Sequence, residues 1–256
     1  STLSNNVILN GNDAVIDAFV GTISGDLILA DNTSYLWSRV FLNDSVQLTG
    51  NIALGERTLL DLGGHAISNN IILNGYTTYI GNGSLNHDLA VNMDQILILA
   101  GNIGGRGNII LGDDAMLNLA GYTLSNNVIL KKHATIGGGT LDSNLTVGEY
   151  QGLTIEDDLK GKGNIILGDF SALMLINSTL SNNVILNENA RISGHGTISG
   201  NLILADNANF SWNWVFPLDR VQLTGNITLG ERTVLDLGSK TLSASVKLGK
   251  NSTITA

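Results

Sequence analysis

Five carboxylates recur at one place in a repeating pattern: Glu149, Asp169, Glu188, Asp206 and Glu231. If the strands between them stack, neighbours in this column lie about 5 Å apart. Like charges that close favour a bound cation or protonation of the carboxylates. Oxygen donors of this kind suit calcium, so these five are the candidate metal ligands and calcium the one candidate cofactor. The plainer alternative is a solvated turn with the side chains splayed apart. The calcium-binding nonapeptide Gly-Gly-x-Gly-x-Asp is absent, and neither Gly137-Gly138-Gly139 nor Gly104-Gly105-Arg106-Gly107 matches it.

Acid/base cleavage of a polysaccharide needs carboxylates clustered on neighbouring strands. Asp61 and Asp236 share a slot in the repeat but lie far apart along it, and related slots hold Asn118 and Met174. Asp113-Asp114 and Asp157-Asp158 are sequence neighbours whose side chains tend to diverge. The four histidines, His65, His87, His133 and His195, fall at different offsets and form no metal motif. No Gly-x-Ser-x-Gly elbow or phosphate loop is present. No catalytic residue is assigned, and the chain is not expected to be an enzyme. The absence of Cys excludes disulfides and thiolate metal sites. A net charge of −9 argues against nucleic acid as partner. No apolar run is long enough to span a membrane as a helix.

The element that must position all these groups is the tetrad Asn-Val-Ile-Leu, found at Asn6–Leu9, Asn127–Leu130 and Asn183–Leu186. Variants headed by residues 26, 51, 70, 88, 108, 144, 164, 201, 226 and 245 continue it. The period is near 19 residues, which dictates the fold before anything else. Short apolar runs broken by Gly, Asn, Asp and Ser signal strands and turns. We therefore expect an all-β, single-stranded, right-handed parallel β-helix. It would form one continuous solenoid over 1–256, of about 13 rungs of 17–20 residues. Handedness follows the general preference of parallel crossovers.

Alternation puts the first and third residues after each head into the core. The head Asn, at a bend, can bond the same amide one rung away and build a ladder. Gly or Asn four residues after the head (Gly55, Asn74, Gly112, Gly168, Asn187, Gly230) suits a left-handed turn residue. A three-rung superrepeat is also visible, and 21–68 recurs as 196–243 with 32 identities in 48.

Two surfaces stand out as binding candidates. The second residue after the head faces outward, and it reads Ile8, Ile28, Ile72, Ile110, Ile129, Ile166, Ile185 and Ile203 in eight copies. Such an apolar stripe suggests an interface with another rod or another segment of the same surface protein, unless the strand bends to bury both faces. Two rungs carry aromatic insertions, with Trp37 and Phe41 in one and Trp212, Trp214 and Phe216 in the other. Aromatic faces stack on sugars, which makes these the candidate contacts to a host or environmental glycan. The plainer alternative is that each insertion buries its own aromatics on the rod.

Both ends fall inside the repeat pattern, which leads us to expect either a piece of a longer chain or rods stacked end to end. The Asn-x-Ile-x-Leu-Gly and Gly-x-Thr-Leu-Ser rungs without Cys resemble the repeat regions of filamentous-haemagglutinin-like exoproteins and autotransporter passengers. That resemblance implies an extracellular or cell-surface β-helix, a structural and adhesive segment of a bacterial secreted protein that forms a stiff rod or fibre. The alternatives are an extracellular filament subunit that self-associates end to end and a carbohydrate-active β-helix that binds or cleaves polysaccharide.

Overall fold

The computed structural model describes residues 2–10, 15–16, 21–32, 38–42, 46–206, 213–215, 221–236, 242 and 244–255. The protein is all-β, a solenoid of short parallel strands, with no helix among the described residues. The chain divides into two compact units, 1–127 and 128–256.

In the first unit three strands follow one another per turn. The head strands Val7–Leu9, Leu27–Leu29, Ile52–Leu54 and Ile71–Leu73 stack in register, as do Leu89–Val91 and Ile109–Leu111. A second sheet contains Ser38–Phe41, Thr58–Asp61, Thr77–Gly81, Ile96–Leu99 and Ala115–Asn118. A third face carries Gly21–Ile23 and Val46–Leu48, then, across a break in pairing, Ala66–Ile67, Gly83–Leu85, Ile103–Gly104 and Thr123–Leu124. The second unit repeats this plan, from Val128–Leu130 through Asn164–Leu167 to Val246–Leu248 on the head face. There the second and third strands of two turns fuse into Ala172–Leu180 and Arg191–Ile198, with a bulge at Asn177.

The residues one and three places after each head form one wall of the core. Leu60, Ile80, Leu97, Leu117 and Leu173 of the second sheet, with Leu85, Ile103 and Leu124 of the third face, form the others. Leu27 and Leu29, Ile52 and Leu54, and Ile165 and Leu167 are at most 1% exposed. The same two positions stay buried in every turn from Leu27–Leu29 to Ile227–Leu229. Burying an aliphatic side chain this fully stabilises by roughly 1.5–3 kcal/mol, and each turn contributes several.

The head ladder forms, with one refinement. The side-chain oxygens of Asn6, Asp26, Asp88, Asn144, Asn183 and Asn201 each accept the backbone N–H of the next head, in three of these steps with its side-chain N–H as well. Asp26 Oδ1 takes Asn51 N at 2.8 Å and Nδ2 at 3.1 Å. Asn144 Oδ1 takes Asn164 N at 3.0 Å and Nδ2 at 3.3 Å. Asp can therefore replace Asn as a head, as it does at 26 and 88, because accepting is the essential half of the bond.

The glycines after the strand are there for a different reason than expected. None of Gly55, Gly112, Gly168 and Gly230 has a positive φ. A Cβ on Gly55 would lie 2.7 Å from Asp31 N, and one on Gly168 would lie 2.9 Å from Gly148 C, so it is the neighbouring turn that leaves no space. The left-handed residue comes two places later and is not glycine: Arg57, Asp94, Asp114, Tyr150, Phe170, Asn189 and Arg232 have φ between 51° and 59°. This conformation points the residue's N–H along the stacking direction. Arg57 N donates to Thr77 O at 2.8 Å, Tyr150 N to Asp169 O at 3.0 Å and Phe170 N to Glu188 O at 2.9 Å. The cost of a left-handed non-glycine residue, roughly 1–2 kcal/mol, is offset because the ladder continues unbroken through the turn.

The corner before the head cycles through types. Gly105-Arg106-Gly107 and Gly161-Lys162-Gly163 occupy it in one turn of each unit, with φ of +121° at Gly105 and +134° at Gly161. In the following turn a fully buried Asn fills the corner. Asn126 Nδ2 bridges Gly107 O (2.7 Å) and Leu85 O (3.2 Å), and Asn182 Nδ2 bridges Gly163 O (2.9 Å) and Leu141 O (3.0 Å). A Cβ on Gly107 would land on the His87 carbonyl, whereas one on Gly104 would meet only Ser125 Cβ at 3.7 Å. We predict that Gly107→Ala lowers stability by about 2 kcal/mol or more, through forced backbone displacement. Gly104→Ala should be neutral or stabilising by up to about 1 kcal/mol. Urea midpoints of the two variants measure the contrast, and equal midpoints would refute the packing argument.

Candidate functional site

Of the acidic column, Asp206 holds the turn of the next rung. Asp206 Oδ1 accepts Glu231 N at 2.6 Å. The first unit has the same device, with Asp31 Oδ1 accepting Glu56 N at 2.8 Å and Glu56 Oε2 accepting Thr77 N at 2.8 Å. Glu149 is exposed, and Asp169 and Glu188 are half-buried beside the left-handed residues Phe170 and Asn189. Among the described residues, no three His, Cys, Asp or Glu side chains converge on a point where a metal ion could sit.

The other titratable groups are also tied into turns. Asp61 accepts Gly63 N and Asn82 Nδ2, each at 2.9 Å. Asp158 Oδ1 accepts Thr179 N at 2.7 Å. His133 Nε2 lies 3.3 Å from Thr154 Oγ1. The side chain of Asp236, at the end of the strand Thr233–Asp236, is outside the described residues.

The isoleucine stripe stands on the outer side of the head strands. Ile8, Ile28, Ala53 and Ile72 are in register in the first unit, and Ala90 pairs with Ile110. In the second unit Ile129, Thr146, Ile166, Ile185, Ile203, Thr228 and Lys247 continue rung by rung. Ile8 is 54% and Ile72 41% exposed, and the other six isoleucines are half-buried. Rung spacing is about 4.8 Å, so adjacent branched side chains cover one another. None of the eight belongs to the inward core.

Of the aromatic insertions, Trp37, Trp212 and Phe216 lie outside the described residues, and Trp214 is described only as part of the strand Asn213–Val215. Phe41 is half-buried, with the Arg39 guanidinium 5.8 Å from its ring centre.

Two surface features escape a search confined to the residue after next from each head. One is the pair Tyr150 and Phe170, successive left-handed turn residues whose rings stack at 5.0 Å and 8°. Their facing surfaces cover each other, so the pair acts as an aromatic rung contact. The column six places after the head was the signal for it. The other is the outer side of the second sheet in the first unit. Leu59, Tyr79 and Ile98 form one column there, and Ile96 and Met116 the next. All are half-buried. The unbroken apolar runs Leu59-Leu60 and Ile96–Leu99 were the signal, since a strand buried on one face turns every second residue outward.

Where pairing breaks on the third face of the first unit, a groove opens, lined by Leu42, Val46, Leu48, His65, Ile67 and Asn69. Asn69 Nδ2 closes part of it by donating to Leu48 O (2.9 Å) and Gly50 O (2.8 Å). Comparison of the chain with family models, with curated proteins and with solved structures returned no match.

Asp206→Asn keeps the acceptor for Glu231 N and should change stability by well under 1 kcal/mol. Asp206→Ala, which removes it, should cost about 1–2 kcal/mol. Thermal melts with and without calcium test this: a melting temperature raised by calcium in the parent and not in Asp206→Asn would restore the cation site. Burial, the main cause, pushes the Tyr79 hydroxyl above the usual phenol value; Arg57 opposes the shift and Glu56 adds to it. The folded protein therefore holds this proton more tightly than the unfolded chain, and stability is lost as pH rises above about 10. Absorbance titration of phenolate should show a late component that Tyr79→Phe removes.

Proposed function

We propose that the chain is a structural and adhesive segment of a bacterial secreted or cell-surface protein, a stiff β-solenoid with its exposed side-chain columns available for contact. The observation that carries the proposal is ladder continuity: strands, turns and head side chains all bond to the rung beyond. Val7 N to Asp26 O, Leu27 N to Asn51 O and Ile52 N to Asn70 O, each 2.9 Å, are successive links of one such chain. Within 46–206 the strands are joined by short, hydrogen-bonded connections. Cleavage there requires local opening of bonds on both sides of a rung, which makes the segment resistant to proteases and to extension.

Thermolysin digestion of the folded chain should leave 46–206 intact under conditions that degrade the urea-unfolded chain. Antibodies raised against the chain should stain intact cells of the source organism. Staining only after permeabilisation would overturn the surface assignment, and rapid cleavage throughout 46–206 would overturn the mechanical one.

A further inference from the structure

We infer that the outer side of the second sheet in residues 1–127 docks a cationic amphipathic polypeptide. The apolar centre is Leu59, Tyr79 and Ile98 in register, flanked by Ile96 and Met116; Arg39 and Asn118 end this column on either side, so the apolar part spans three rungs. At its edge, Tyr76 is 59% and Met93 61% exposed, on the turns that lead into Thr77–Gly81 and Ile96–Leu99.

The fold itself does not require apolar residues here. The corresponding column of the second unit, Thr135, Thr154, Met174 and Ser193 in register, is largely polar. The same solenoid position thus accepts threonine, serine and methionine in the second unit, whereas the first unit fills it with larger apolar side chains that stay half-buried. A contiguous, half-buried apolar strip edged by the exposed Tyr76 and Met93 is the kind of surface that marks interaction sites.

Charge selects the occupant. The turns that lead into these strands carry Glu56, Asp94, Asp113 and Asp114, and Asp61 closes the first strand. Arg57 sits 3.7 Å from Glu56 and offsets part of that charge. Across residues 1–127, Arg39, Arg57 and Arg106 stand against eleven Asp and Glu. An apolar strip with an acidic rim complements a segment that alternates basic and apolar side chains. A second copy of this chain, at a net −9, would bring like charge to the rim, and an anionic membrane would do the same. The inference does not depend on the surface-protein assignment, and its test is a binding measurement that the assignment does not affect.

The probe is a short synthetic peptide of alternating lysine and leucine, titrated calorimetrically into the full chain. An all-lysine peptide and a glutamate–leucine peptide of equal length serve as comparisons. The lysine–leucine peptide should bind, more weakly as salt is raised, and the other two should bind much less. The triple variant Leu59→Thr, Tyr79→Thr, Ile98→Thr should lose at least about tenfold in affinity. Threonine suits an outward strand position, so circular dichroism and the urea midpoint should stay near those of the parent. If the triple variant does not fold, Tyr79→Thr alone reads the same surface. The variant Ile166→Thr, Ile185→Thr, on the head face of the other unit, should bind as the parent does. Equal loss in that variant, no loss in the Tyr79 variants, or equal binding of the all-lysine peptide overturns the inference. Sedimentation showing a parent dimer that the triple variant abolishes would overturn it too, and would assign the surface to a second copy.

Discussion

Hydrogen-bonded parallel strands sit about 4.8 Å apart, and almost everything else in this protein follows from that spacing. It places each residue directly over its counterpart in the next turn, so a position has to suit a whole column. Amides stack in the head column because an acceptor and a donor can meet rung after rung, as Asn144 and Asn164 do. Aliphatic side chains fill most of the core, and a polar one enters where a carbonyl is in reach, as Thr58 Oγ1 donates to Gly55 O. Glycine recurs after the strand where a neighbouring backbone occupies the volume of a Cβ, as Asp31 does for Gly55. Even the left-handed turn residues obey the same demand, since the N–H of Arg57 and that of Phe170 each bond to the next rung.

A period is easy to read in a sequence, and the architecture was therefore legible. The heads, their inward neighbours and the outward isoleucines are positions where residue type repeats, and repetition is what a column imposes. What could not be read was geometry carried by variable residues. The left-handed position holds Arg, Asp, Tyr, Phe and Asn, and so gives no compositional sign of its backbone. The glycines near it carried that expectation instead, although their reason is steric. The buried Asn126 and Asn182 were hidden beside the heads they precede, and their role depends on the glycine corner a full turn earlier. The acidic column was visible, but whether five carboxylates gather a cation or hold turns is decided by where each oxygen points. Asp206 points at a backbone amide.

The same logic governs the surface. A solenoid makes recognition additive, since each rung contributes one side chain per outward column and a patch grows by repetition. The second sheet of the first unit and the isoleucine column differ in this respect from the Tyr150–Phe170 pair. The rings of the pair spend one face each on the other, yet Tyr150 stays 72% and Phe170 47% exposed. The columns present their side chains outward, where contact with a partner would add to contacts already made along the stack.

The alternation of corner types also constrains how such a protein can change. A Gly-x-Gly corner closes tightly against the rung before it, and the buried Asn that follows reaches across two turns to Leu85 or Leu141. Loss of one rung, by slippage or unequal exchange, would set a side chain where Gly107 or Gly163 leaves no space, or strip an Asn of its two carbonyls. Loss or gain of three rungs restores every corner to its proper neighbours. The hereditary unit of this fold is then the triplet of turns, and length should vary among descendants in steps of three rungs even though the eye picks out a period of one.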